Sequence, residues 1–82
     1  MLLEISRINP DGKTKIKEFS EYLQVIFEID EKGICTKIGV YDPKYSGAGD
    51  LYIADIYEVK VNDKLVNYTF PKTLEVMKKF NK

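Results

Sequence analysis

Histidine and tryptophan are both missing from this chain of 82 residues, and cysteine occurs once. Without histidine no side chain has an ordinary pKa near neutrality. The usual general base, the commonest transition-metal ligand and every Ser–His or Cys–His nucleophile pair are thereby excluded. Cys35, standing alone, allows no internal disulfide, no Cys-x-x-Cys pair and no zinc cluster, which fits a reducing compartment. Long apolar runs are missing too. Val25, Ile26 and Phe27 form the longest candidate between polar neighbours, whereas a membrane span takes about 20 residues. Met1 leads into Leu2, Leu3 and Glu4 without the charged start and apolar stretch of a secretory signal. The expectation is a soluble, cytoplasmic protein that crosses no membrane. Net charge is absent as well: 13 basic and 13 acidic residues cancel, so no whole-molecule field draws the chain toward nucleic acid or anionic lipid.

Hydrophobic residues make up 44% of the chain and charged residues 32%, a balance too apolar for disorder and too charged for a membrane protein. The length suits one small globular domain over residues 1–82, with no room for a second core or a deep, water-free chamber. Charge is uneven along it: residues 21–31 and 49–63 are acidic, and residues 64–82 are basic.

Three turn signals punctuate the chain. Asn9-Pro10-Asp11-Gly12 places proline where a turn needs φ near −65° and glycine at the fourth position. Leu3, Ile5 and Arg7 alternate before it and Thr14, Ile16 and Glu18 after it, and a four-residue loop would set Ile5 opposite Ile16. Asp30-Glu31-Lys32-Gly33 separates residues 23–29 from residues 34–41. Pairing Ile29 with Ile34 sets Phe27 against Thr36, Val25 against Ile38 and Leu23 against Val40, and predicts one buried cluster of Val25, Phe27, Ile29, Ile34 and Ile38. A one-residue slip would bury Lys37. In this register Cys35 lies on the face opposite Ile34 and Ile38. The third signal, Asn62-Asp63-Lys64, follows a strand expected over residues 51–61. A two-residue loop at Asn62-Asp63 faces Val59 with Val66 and Tyr57 with Tyr68, and a loop at Asp63-Lys64 pairs Val61 with Val66 instead.

Beyond Pro71 the period changes, because Leu74, Met77 and Phe80 recur at helical spacing and Lys78, Lys79 and Lys82 suit the negative end of a helix dipole. So short a helix must dock on the sheet. The fold class expected is therefore α+β, with about six antiparallel strands in hairpins, as a meander sheet or small barrel, and a short C-terminal helix. Ile16, Phe19, Tyr22, Leu23 and Ile26 also follow a helical spacing, but the β-branched run beside them favours strands.

Chemistry has few places to reside. Asp55, among Ile53, Ala54, Ile56 and Tyr57, reads first as a bulge or an exposed strand position and only then as a catalytic acid. Residues 41–50 form the longest expected connection, with two tyrosines, a lysine and a Gly47-Ala48-Gly49 tip. That tip lacks the third glycine of a dinucleotide fingerprint and the Gly-Lys-Ser/Thr of a P-loop. Asp42, Ser46, Asp50 and Asp55 miss the spacing of a calcium loop. No metal and no cofactor are expected. Loops on rigid scaffolds often carry recognition, so Tyr41, Lys44, Tyr45 and Tyr52 are the expected partner-binding residues. Lys13, Lys15 and Lys17 would form a row on one strand face, an alternative basic surface, although edge strands also carry lysines to block aggregation. The function expected is non-catalytic protein–protein association, as in a small inhibitor, adaptor or regulator. A small β-rich nucleic-acid-binding protein is the alternative, and a homo-oligomer is compatible with both.

Overall fold

The computed structural model describes residues 1–44 and 47–73, and over these residues the protein is all-β. Its strands are β1 (Leu2–Ile8), β2 (Lys15–Glu21), β3 (Gln24–Ile29), β4 (Cys35–Asp42), β5 (Gly47–Leu51), β6 (Ile56–Val61) and β7 (Lys64–Leu65). They form a four-stranded sheet in the order β2-β1-β6-β7 and a three-stranded sheet in the order β3-β4-β5, antiparallel throughout. The expected α+β class is thus corrected. No helical element is seen among the described residues, which end at Thr73; Phe70 is buried in the core with its N–H bonded to the Thr73 hydroxyl (3.0 Å), and Lys72 N–H bonds Ile56 O (3.0 Å). The stripe Leu74, Met77 and Phe80 lies outside the described residues.

The two sheets are joined where β2 becomes β3. Tyr22 N–H bonds Met1 O and Leu23 N–H bonds Tyr41 O, both at 3.0 Å, so consecutive amides serve opposite neighbours and one bent strand belongs to both sheets. A second junction closes the far side, with Cys35 N–H on Thr69 O (2.7 Å) and Thr69 N–H on Gly33 O (3.0 Å). Between the sheets lies the core: Leu3, Ile5, Cys35, Ile38, Ile56, Val59 and Phe70, with Val25, Phe27 and Ile29 packed against it but half exposed. Of the expected buried cluster, only Ile38 is fully buried.

Turn chemistry decides where the registers depart from the simple pattern. The Asn9-Pro10-Asp11-Gly12 turn forms, closed by Gly12 N–H to Asn9 O (2.8 Å). The Asp11 carboxylate then draws the next residues into the loop by accepting from Lys13 N–H, Thr14 N–H and the Thr14 hydroxyl. Ile5 therefore faces Glu18 and not Ile16, which faces Arg7. In the second hairpin Phe27 faces Ile38 and Val25 faces Val40, two residues from the expected register, so the same faces meet. Asp30 holds that turn by accepting from Lys32 N–H and Ile34 N–H. The pairing steps from Glu28↔Lys37 to Ile29↔Cys35, leaving Thr36 as a bulge. The bulge reverses the side-chain alternation and brings Cys35 into the core beside Ile38, against the expectation of an outward thiol.

The third hairpin has the two-residue loop at Asn62-Asp63, both at positive φ (50° and 67°), the geometry of a type I′ turn. Tyr68 does not face Tyr57: the chain has crossed to the other sheet, and its ring rests 5.4 Å from that of Phe27. The single strand expected over residues 51–61 is two strands with a turn between them, where Ile56 N–H bonds Ile53 O (3.0 Å). The turn lets Leu51 and Ile53 pack on the core from one sheet and Ile56 from the other.

Candidate functional site

Residues 41–42 and 47–50 lie in paired strands and not in the long loop that their glycines suggest. Tyr41 pairs with Ala48 and Asp42 with Gly47, whose φ of 84° ends the turn. Alternation along the three strands then sets Val25, Phe27, Ile38 and Val40 toward the core and Gln24, Ile26, Gly39, Tyr41, Ala48 and Asp50 on the outer face. These six, together with Val40 and Gly49, line a shallow trough of about 440 Å³. Ile26 is 54% exposed and Tyr41 39%, so an aliphatic side chain opposite Gly39 on β3 and an aromatic one two residues along β4 stand beside a residue with no side chain.

Gly39 is the centre of this surface. Its φ is not positive, and a Cβ built on it would meet nothing closer than Asp50 Oδ1 at 3.8 Å and Ile26 O at 3.9 Å. Neither backbone conformation nor packing requires glycine there, although glycine inside a strand costs about 0.5–1 kcal/mol relative to alanine. A glycine inside a strand marks a bulge, a tight bend or the close approach of a ligand or another backbone, and the register of β3, β4 and β5 is regular across Gly39. Asp50 hangs over the rim with Oδ2 3.5 Å from Lys37 Nζ.

The expected partner-binding residues are only partly gathered here. Tyr41 belongs to the trough, and Lys44 sits in the β4–β5 turn with its N–H on Asp42 Oδ1 (2.9 Å). Tyr52, 69% exposed, follows β5, and Tyr45 lies outside the described residues. The lysine row is shorter than expected. Lys13 is in the β1–β2 loop and only Lys15 and Lys17 are on β2, with Lys15 Nζ 5.7 Å from the centroid of the Tyr57 ring. Sequence reasoning overlooked Gly39, although an isolated glycine inside a strand pattern was its available signal.

A second polar cluster joins β1, β2 and the residues between β5 and β6. Arg7, with 11% of its side chain exposed, donates from Nε to Glu18 (3.1 Å) and from Nη1 to Asp55 Oδ1 and the Tyr52 carbonyl (both 2.5 Å). Burial alone would lower the guanidinium's pKa, but the hydrogen bonds to Asp55 and Glu18 outweigh it and raise the pKa above its ordinary value. A permanently charged Arg7 moves no proton. It ties the residues between β5 and β6 to the first hairpin, which accounts for Asp55 among apolar neighbours. Cys35 is likewise inert: burial pushes its thiol up, with Glu28 adding to the shift, and Sγ–H donates to Lys37 O at 3.3 Å. Among the described residues no three His, Cys, Asp or Glu side chains group to hold a metal ion, and no helix is long and apolar enough to cross a membrane.

No family model, curated protein or solved structure matches this chain.

Proposed function

We propose that the protein acts without catalysis, by binding another protein through the outer face of β3, β4 and β5. The observation that carries this reading is Gly39: a glycine at the middle of a central strand, required by neither φ nor sterics, that leaves a trough beside exposed Ile26 and Tyr41. Aromatic anchors beside a recess are the form that binding hot spots take. Tyr41 is the anchor; Lys44, in the turn before β5, and Tyr52, just after β5, lie outside the trough and serve as flanking contacts. The nucleic-acid alternative draws less support, because the basic row is reduced to Lys15 and Lys17 on β2 and Lys15 lies over Tyr57. A single buried cysteine suits action in the cytoplasm.

The test compares proteins retained from a lysate of the native host by the immobilised parent, by Gly39→Val and by Phe19→Ser, the last an exposed residue on the other sheet. A protein held by the parent and by Phe19→Ser but lost from Gly39→Val, and then bound when purified, identifies the partner and the face. If Gly39→Val instead weakens self-association in sedimentation, the partner is a second copy. Retention of the same proteins by all three variants would reject this face.

A further inference from the structure

Resting on the reading of this face as a protein interface, we propose that the trough receives an arginine side chain of the partner. The floor over Gly39 is open, and Asp50 Oδ1 stands 3.8 Å from the position a Cβ would take there. Among the described residues Asp50 has one charged neighbour, Lys37, which approaches Oδ2 at 3.5 Å. That is longer than the roughly 2.7–2.9 Å of a charge-assisted hydrogen bond. Oδ1 is therefore an anionic acceptor aimed over the recess. Ile26 offers an aliphatic wall for the methylene stem, and Tyr41 offers a ring face on which a planar guanidinium stacks.

Charge complements this shape. Residues 24–51 carry five acids (Glu28, Asp30, Glu31, Asp42, Asp50) and three lysines (Lys32, Lys37, Lys44), so this segment of a neutral molecule is negative. An anion would meet Asp50, and an aliphatic side chain would leave Oδ1 facing an apolar group. Lysine would satisfy the carboxylate but lacks the plane that stacks on Tyr41. Arginine uses every feature at once: stem, plane and donors.

The probe is the capped pentapeptide acetyl-Gly-Gly-Arg-Gly-Gly-amide, titrated into ¹⁵N-labelled protein against the same peptide with citrulline, which keeps the shape and loses the charge. The expected result is fast-exchange shifts concentrated at Gly39, Tyr41, Ala48 and Asp50, with citrulline binding at least about fivefold more weakly, a difference of about 1 kcal/mol. Asp50→Asn should bring the arginine peptide down to the citrulline level, and Gly39→Val should abolish the shifts. Equal response to arginine and citrulline, or no shifts at the trough, would overturn the inference. The face itself is judged separately, by whether Gly39→Val loses the partner protein.

Discussion

Sheet β2-β1-β6-β7 contributes Leu3, Ile5, Ile8, Ile56 and Val59 to the buried set, whereas sheet β3-β4-β5 contributes Cys35 and Ile38. Their inner strands differ in the same way. On β1 the outward residues Glu4 and Ser6 are themselves largely covered, with Ser6 1% exposed, while on β4 the outward residues are Lys37, Gly39 and Tyr41 on an open face. A chain this small cannot bury both faces of both sheets. It concentrates stability in one sheet and leaves the other with a surface whose composition stability does not explain.

The strongest way to break this contrast is to truncate residues on its two sides. Phe70 is 2% exposed and fills the core beneath both sheets, so Phe70→Ala should cost about 3–5 kcal/mol and abolish cooperative urea unfolding. Tyr41→Ala should move the unfolding midpoint by no more than about 0.5 kcal/mol. Comparable losses for the two would mean that the outer face of β4 is structural.

A middle-sized effect is expected at Arg7, which joins the crossover between β5 and β6 to the first sheet. Arg7→Met keeps the stem but leaves Asp55 and Glu18 without their donor, and should cost about 1–2 kcal/mol, since both carboxylates are partly exposed. An unchanged urea midpoint would show that backbone hydrogen bonds such as Ile8 N–H to Asp55 O hold the crossover unaided.

These two sites also show what the sequence can disclose. Alternation revealed the hairpins, and the Asn62-Asp63 dipeptide marked its own two-residue turn. Periodicity could not reveal how a carboxylate reorganises a turn: Asp11 and Asp30 each bind backbone amides, and the registers move by two residues. A two-residue move keeps every face. The bulge at Thr36 does not, and it alone converts Cys35 from an outward residue to a core one. Low strand propensity concealed β5, because Gly47, Ala48 and Gly49 pair only on the edge that β4 already provides. Tyr41 was legible as a site residue; Gly39 was legible in principle, as a glycine that the turn inventory did not need.

Cys35 gives a smaller effect with a definite sign. Its thiol pKa is raised in the folded protein, so the folded state stays protonated while the unfolded chain ionises above about 8.5. The unfolded state then binds fewer protons, and stability falls as pH rises from the unfolded value toward the folded one, by at most about 1.4 kcal/mol per pH unit. Lysines and tyrosines titrate in the same range, so the readout is the difference between parent and Cys35→Ala in urea midpoints from pH 7 to pH 10.5. The parent should lose stability more steeply. Parallel curves would place Cys35 in contact with solvent and weaken the assignment of β4's inner face.

The smallest expected effect is the one that most sharpens the comparison, because it has the opposite sign. Gly39→Ala adds a methyl group where nothing lies within 3.8 Å, on a strand backbone that any residue adopts, so it introduces neither clash nor strain. It also removes conformations from the unfolded chain, and should stabilise the protein by about 0.5 kcal/mol. A glycine that lowers stability at the centre of a sheet is accounted for by an approach from outside, and the same methyl group should then weaken the partner. Urea denaturation of Gly39→Ala beside the parent decides the first half of this argument without any knowledge of the partner. A destabilisation of about 1 kcal/mol would mean that the fold itself needs glycine at this position, and the outer face of β3, β4 and β5 would lose its claim to be the binding surface.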